Sequence, residues 1–211
     1  MVSHSVWSAV AAGLALAVVG CGGPGETIKF SASVDAVPAP EKVPQAVRVA
    51  VVPFEDVRAD RASIGRYQHY VETRVDMLVP AQGTASEQIT EFVAEYLKRA
   101  GFQVTRVQPG GSVPPGSADV VLSGQIESYW NEAVSRFFRT ELLSKNRLVV
   151  RVSNAGDGST VRSSVEGDAT TKVVSFCLTD LERLTGEALG QSVARFLGDV
   201  VVSDHAFKPR N

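Results

Sequence analysis

The pattern of apolar and polar residues along the chain predicts five β-strands and two helices. The predicted strands cover residues 47–54, 102–107, 118–130, 147–154 and 160–171. The last two flank residues 155–159, whose Gly and Asp tolerate tight turns, so they are predicted to form a hairpin. Residues 70–79 fit either a short strand or a hairpin arm. The pattern over residues 55–83 does not predict the secondary structure of that segment.

Two helices are predicted from capping signals that precede apolar residues at helical spacing. Thr84 and Glu87 match a capping box, and Gly101 supplies a left-handed stop. The apolar face of this helix comprises Ile89, Phe92, Val93, Tyr96, Leu97 and Ala100. Thr179 and Glu182 match a second capping box. The apolar stripe that follows comprises Leu181, Leu184, Ala188, Leu189, Phe196, Leu197 and Val200.

The order of these elements predicts one α/β (α+β) domain over residues 46–203, followed by a C-terminal tail over residues 204–211. The first strand–helix–strand unit is expected to pair its strands in parallel, whereas the later hairpin is antiparallel. We therefore expect a mixed β-sheet of about five strands with two main helices packed on it.

The amino terminus has a different character. Its apolar run of about 14 residues, 6–19, is shorter than the roughly 20 residues of a bilayer span and is typical of a secretory signal. The run ends in Val18, Val19, Gly20 and Cys21, which resembles the lipobox of bacterial lipoprotein precursors. The resemblance implies lipid transfer to the Cys21 sulfur, cleavage of a signal peptide (residues 1–20) after Gly20, and acylation of the new amino terminus with chains such as palmitate. The alternative is a buried N-terminal helix with an incidental cysteine, and residues 1–5 do lack the usual Lys or Arg.

Residues 21–45 are predicted to be a flexible linker after the lipidated cysteine. Pro38, Pro40 and Pro44 favour an extended chain near its end, and about 24 residues reach at most roughly 80 Å. The alternation over residues 27–34 leaves an edge strand open as an alternative. Gly22 after the cysteine implies, by the sorting rule of many Gram-negative lipoproteins, the outer membrane and its periplasmic face, with the inner membrane as the alternative.

Charge and cysteine content narrow the expected partners. The net charge of −2 gives no reason to expect nucleic acid as a partner. Cys177, the second of the two cysteines, lies in an apolar context and is predicted to be a buried free thiol, with a reactive thiol or an intermolecular disulfide as the alternative.

Candidate chemistry is sparse. His69 and His205 are the histidines outside the signal, and no nucleophile elbow accompanies them, so no catalytic residue and no enzyme activity are predicted. The spacing of His, Cys and carboxylates matches no metal site, and no Gly-rich segment matches a phosphate loop, so neither metal nor cofactor is expected.

Two charged segments are candidate binding elements. The polar loop after the first strand offers Asp56, Arg58, Asp60 and Arg61 as a possible partner-binding loop, with a well-capped turn as the alternative. Residues 136–139, Arg-Phe-Phe-Arg, mix the residue types that are enriched at protein interfaces. The alternative for this segment is a half-buried strand with its arginines outward.

The order of elements resembles that of small YajG-type lipoproteins. The matching residues are Asp56-Val57-Arg58, Ile64-Gly65 and Gly124-Gln125-Ile126, within a likeness that spans most of residues 47–200. A similar outline occurs in penicillin-binding-protein activators and in auxiliary lipoproteins of transport systems. The resemblance implies a periplasm-facing lipoprotein with an α/β fold, a protein partner in the envelope and no known reaction.

These observations leave three functional hypotheses. The first is a non-enzymatic binding or structural component of the cell envelope, held at the membrane by its N-terminal lipid. The second is an auxiliary subunit or carrier of a transport system, which requires a deep apolar pocket under the sheet. The third is an envelope hydrolase, which requires His69 or His205 beside a carboxylate in a cleft.

Overall fold

The computed structural model describes residues 25–38, 40–43, 46–71 and 74–210. The predicted signal peptide, the cleavage site at Gly20 and the lipidation site at Cys21 lie outside the described residues. The helices are α1 (Ala85–Arg99) and α2 (Leu178–Asp199). The strands are β1 (Thr27–Phe30), β2 (Arg48–Val51), β3 (Glu55–Asp56), β4 (Gly65–Gln68), β5 (Val75–Pro80), β6 (Gln103–Arg106), β7 (Val120–Arg136), β8 (Arg139–Asn154), β9 (Thr160–Val173), β10 (Val200–Ser203) and β11 (Ala206–Pro209).

A nine-stranded mixed sheet is built around β7 within these residues, so the class is as predicted but the predicted count of about five strands is too low. One edge of β7 pairs with β8 along nearly its whole length, and β9 follows beyond β8. The other edge receives β2, β3 and β4 in succession, all parallel to β7. The parallel pairing of β2 with β6 across α1 and the β8–β9 hairpin are confirmed.

Local capping explains where α1 begins and ends. The Glu87 amide donates to the Thr84 hydroxyl at 3.2 Å, and the Thr84 amide donates to the Glu87 carboxylate at 2.8 Å, so the capping box is confirmed. Gly101 follows the helix with φ of +97°, the left-handed conformation that terminates helices.

The predicted second capping box is wrong. Helix α2 starts at Leu178, one residue before the predicted cap, and its N-cap is Cys177 without a side-chain hydrogen bond. Thr179 is therefore already inside the helix, and its hydroxyl contacts the Cys177 sulfur at 3.0 Å instead. Cys177 is exposed rather than buried, because Phe176 is the residue that packs inward, stacked on Tyr67.

Helix α2 packs closely on β8 and β9. Gly167 of β9 permits this approach, because a Cβ there would lie 1.8 Å from the Ala188 carbonyl oxygen. A buried polar group also joins the layers: the hydroxyls of Ser144 and Thr185 donate to the Asn131 side-chain oxygen at 2.7 and 2.9 Å. These bonds satisfy polar atoms that burial would otherwise penalise.

The segment predicted as a flexible linker packs on the domain wherever it is described. Strand β1 pairs in parallel with β5, so the edge-strand alternative describes residues 27–30. Phe30 is fully buried, and the Ser33 amide donates to the Glu182 carbonyl at 3.1 Å. Arg99 donates to the carbonyls of Val34 and Val37, which fixes the segment beside α1.

The predicted C-terminal tail is also part of the fold. Residues 206–209 form β11, which pairs with β10. Phe207 is fully buried and stacks near Phe102 and Phe196, with ring centroids 5.4 and 6.1 Å away. The Asn154 side chain bonds both the amide and the carbonyl of Phe207 at 2.9 Å. In the described part of the chain, no helix is long and apolar enough to cross a bilayer.

Candidate functional site

The predicted partner-binding loop is organised around a buried arginine. Arg58 is only 7% exposed, and its guanidinium donates to both Asp56 carboxylate oxygens at 2.9 and 2.8 Å. Its remaining terminal nitrogen donates to the carbonyls of Ser63 at 2.9 Å and Tyr129 at 3.2 Å. Arg58 and Asp56 therefore hold the loop against β7.

Electrostatics reinforce this pair. Burial raises the pKa of Asp56, but the hydrogen bonds and charge of Arg58 outweigh burial and hold that pKa below its usual value. Asp60 accepts from the Ala62 amide and the Ser63 hydroxyl, and Arg61 donates to the Arg58 carbonyl. Of the four predicted residues, Asp60 and Arg61 are the two exposed to solvent.

Both histidines lie beside carboxylates. His69 Nε2 is 2.8 Å from Asp76, which is itself almost fully buried. His205 Nδ1 is 3.9 Å from Asp119, a carboxylate that also binds the Arg48 guanidinium at 2.6 Å. His205 lines a hollow of about 360 Å³. The hydrogen bonds recorded for the described residues include none from a Ser, Thr or Cys side chain to either imidazole.

No group of three or more His, Cys, Asp or Glu side chains converges in the described part of the chain in a way that could hold a metal ion. Cys177 is free and exposed there. Its pKa is lowered by the hydrogen bond with the Thr179 hydroxyl.

A cluster of exposed apolar side chains lies at the end of the β7–β8 hairpin. We call Tyr70, Val71, Phe137, Phe138 and Val174 the aromatic tip. Each is more than half exposed, from 55% for Tyr70 to 87% for Val71. The next most exposed large apolar side chains of the described residues are only 37–38% exposed. Contiguous apolar exposure of this kind marks interaction sites.

Strand register brings the tip together. Arg136 pairs with Arg139, so Phe137 and Phe138 form the two-residue turn of the hairpin. Their ring centroids are 4.0 Å apart, and Tyr70, from the chain after β4, lies 6.1 Å from Phe137. Val174 follows the end of β9, where Val173 pairs with Thr140 next to the turn.

The turn conformation is unusual for its residue type. Phe138 has φ of +58°, in the left-handed region that Gly and Asn occupy at much lower cost than a bulky side chain does. The two flanking arginines, Arg136 and Arg139, add positive charge, although Arg139 forms an ion pair with Glu141 at 3.1 Å. The sequence singled out residues 136–139, but it missed Tyr70, Val71 and Val174, because only strand pairing joins them to the turn.

Comparisons with known proteins give weak matches. No family model matches the chain, and no curated protein sequence matches it either. Among solved structures, it is similar to protein XCC0632 of Xanthomonas campestris, described as DUF330, with 13% identity over 82% of this chain and 91% of that one and a TM-score of 0.47. The PelC dodecamer of Paraburkholderia phytofirmans matches with 18% identity over 75% and 96%, at a TM-score of 0.41. Lipoprotein GNA1162 of Neisseria meningitidis matches with 13% identity over 69% and 96%, at 0.36.

These identities reach at most 18% and the TM-scores at most 0.47, so they establish no family for this chain. The resemblance to YajG-type lipoproteins therefore stays a prediction.

Proposed function

We propose that the chain is a lipid-anchored protein of the bacterial envelope, attached through Cys21, with a non-enzymatic binding or structural role. The observation that carries the binding role is the aromatic tip, because a folded domain rarely leaves five large apolar side chains exposed together. The lipobox-like residues ending at Cys21 support the anchor. Gly22 favours the outer membrane with the domain facing the periplasm, where we expect a protein partner.

Membrane fractionation tests the anchor, and the chain supplies its own control. We expect the wild type and Cys177→Ser to sediment with the outer membrane, because Cys177 lies at the start of α2, inside the folded domain. Cys21→Ser should lose membrane association, since two or more acyl chains are what make such anchoring stable. Equal sedimentation of all three proteins would refute the proposal.

The non-enzymatic role has a separate test. In cells that lack the wild-type gene, the double variant His69→Gln/His205→Gln should correct any envelope defect as fully as the wild-type protein does. Gln preserves a hydrogen-bond donor beside Asp76 and Asp119 but cannot transfer protons as imidazole does. Failure of this folded double variant, with normal membrane association, would favour the hydrolase hypothesis instead.

A second candidate is a carrier of apolar small molecules. It is favoured by an open groove of about 1000 Å³ between residues 36–38 and 40–43, Tyr96 and the second half of α2, with Val37, Val43 and Leu197 among its walls. This groove lies outside the sheet, whereas a carrier was expected to have a deep pocket beneath it. Native mass spectrometry of protein released gently from membranes should find a bound ligand if this role is correct, and only empty protein if it is not.

A further inference from the structure

We propose that the aromatic tip rests in the surface of the same phospholipid bilayer that holds the lipid on Cys21. This inference rests on the proposed anchor and names what the tip contacts. It replaces the expected linker, with its reach of up to roughly 80 Å, by a domain that touches the membrane.

The start of the described chain lies near the end of the sheet that carries the aromatic tip. Gly25 lies beside Val75, because a Cβ on Gly25 would come within 1.7 Å of the Val75 carbonyl oxygen. Val75 pairs with Gln68 in β4, and Gln68 pairs with Val134 in β7. These pairings place Gly25 at the level of Val134, near the end of the sheet that carries the tip.

The tether between Gly25 and Cys21 is short. Four residues separate Gly25 from Cys21, and a fully extended chain of that length covers at most about 14 Å. Phe137 lies three residues beyond Val134, which is about 10 Å further along the strand direction. Even a tether that points straight at the membrane therefore leaves the tip only a few ångströms short of the bilayer, and any tilt brings it into contact.

The start of the chain and the aromatic tip are also close to each other across the sheet. Strand β1 is separated from β7 by β5 and β4, and three strand spacings amount to about 14 Å. The anchor and the tip thus form two contacts a short distance apart on one end of the domain. Two contacts restrict the orientation of a domain at a membrane far more than one tether does.

The chemistry of the tip suits a bilayer surface. Aromatic rings are favoured at the level of the lipid headgroups, where Tyr also keeps its hydroxyl hydrated. Arg136 and Arg139 flank the turn, and arginines bury their methylene stems while their charged ends reach phosphates. The backbone of Phe138 is in the left-handed conformation, which a bulky residue adopts at a cost. This is consistent with a side chain whose role is contact rather than turn formation.

Fluorescence quenching by lipids tests the contact in the mature lipidated protein, which begins at Cys21. The protein is reconstituted in vesicles of phosphatidylethanolamine and phosphatidylglycerol whose acyl chains carry bromine near the headgroup. Phe138→Trp is compared with Val201→Trp, on β10, and with the wild type. Trp130 supplies a constant background about 20 Å from the tip, six residues before Arg136.

Val201 is a matched control because it is an exposed apolar residue at the opposite end of the sheet. Strand β10 pairs with β11, whose Phe207 backbone is held by Asn154, the partner of Val120. Val120 lies sixteen residues before Arg136, or about 50 Å along β7. Circular dichroism and thermal melting verify that both variants fold as the wild type does.

We expect brominated lipid to lower the emission that Phe138→Trp adds to the background by at least about twofold, since interfacial groups sit about 5–10 Å deep. The emission that Val201→Trp adds should stay unchanged. Equal quenching of both variants, or a blue shift of Phe138→Trp without quenching, would overturn the contact; the blue shift would place the ring against protein instead.

Intact mass spectrometry distinguishes failure of the proposed lipid anchor from failure of the proposed bilayer contact. Protein that carries lipid and floats with the vesicles, yet shows no selective quenching, leaves the anchor standing and refutes the docking. Protein without a lipid adduct refutes the anchor, and the docking falls with it because the tether argument loses its basis.

Discussion

Replacing Arg58 with Met should lower the free energy of unfolding of the domain itself, independently of any binding partner. The change removes two bonds to the Asp56 carboxylate and two to the carbonyls of Ser63 and Tyr129, all from a side chain that is 7% exposed. Removing one member of a buried ion pair costs about 3–5 kcal/mol, because the other charge stays behind unpaired. The Asp56 side chain keeps 14% exposure and some water, so the lower end, about 3 kcal/mol, is expected.

Urea unfolding followed by circular dichroism measures this loss. Arg61→Ala is the matched control, because Arg61 is an exposed neighbour with one bond to a backbone carbonyl, and its stability should stay within about 0.5 kcal/mol of the wild type. Unchanged stability of Arg58→Met would refute the structural role of the pair. If that variant also lost an envelope partner while folding normally, the loop would be a binding edge after all.

Three further predictions concern the same fold. Because the pKa of Asp56 is lowered in the folded protein, its pairing with Arg58 stabilises the fold above the usual carboxyl pKa of about 4. This stabilisation is lost as the pH falls through the lowered pKa. The free energy of unfolding, measured as a function of acid pH, should show this loss in the wild type and not in Arg58→Met. Gly167→Ala should lower the melting temperature through a clash with the backbone of α2 that costs about 1–3 kcal/mol, whereas Gly156→Ala, with open space around it, should not. Phe207→Ala should cost about 3–5 kcal/mol in urea unfolding, and a near-neutral result would mean that β11 is not part of the core.

Helix α1 could be read from the sequence because its signals are local. The cap, the apolar stripe and the terminal glycine all lie within residues 84–101, and the structure uses them as predicted. The start of α2 could not be read in the same way. Thr179 and Glu182 have capping-box spacing, but Glu182 instead accepts a hydrogen bond from the Ser31 amide, 151 residues away.

The extra strands were missed because they are short and depend on distant partners. Strand β3 has two residues and β4 has four, too few for an alternation to be recognised. Strand β1 is stabilised by pairing with β5, about 50 residues away, and β11 by the side chain of Asn154. Alternation over residues 27–34 left an edge strand open as an alternative, but the local sequence does not report the distant partner, so the two segments were assigned to a linker and a tail.

The candidate sites show the same limit. Arg58 was singled out as a possible partner-binding residue, yet it is only 7% exposed, and its guanidinium donates to the carbonyl of Tyr129, 71 residues away. Residues 136–139 could be singled out from composition alone as an interface candidate, but the sequence did not show that they form the turn of a hairpin. The enlargement of this candidate by Tyr70, Val71 and Val174 follows from the register of β4, β7 and β9, which composition does not reveal.

Intact mass spectrometry of the mature protein, extracted from membranes with detergent, decides whether the chain is a lipoprotein. We expect a chain that begins at Cys21 and carries acyl chains, with the added mass confined to the N-terminal peptide and absent from Cys21→Ser. A wild-type chain that retains residues 1–20, or that begins at Cys21 without added lipid, would contradict this expectation.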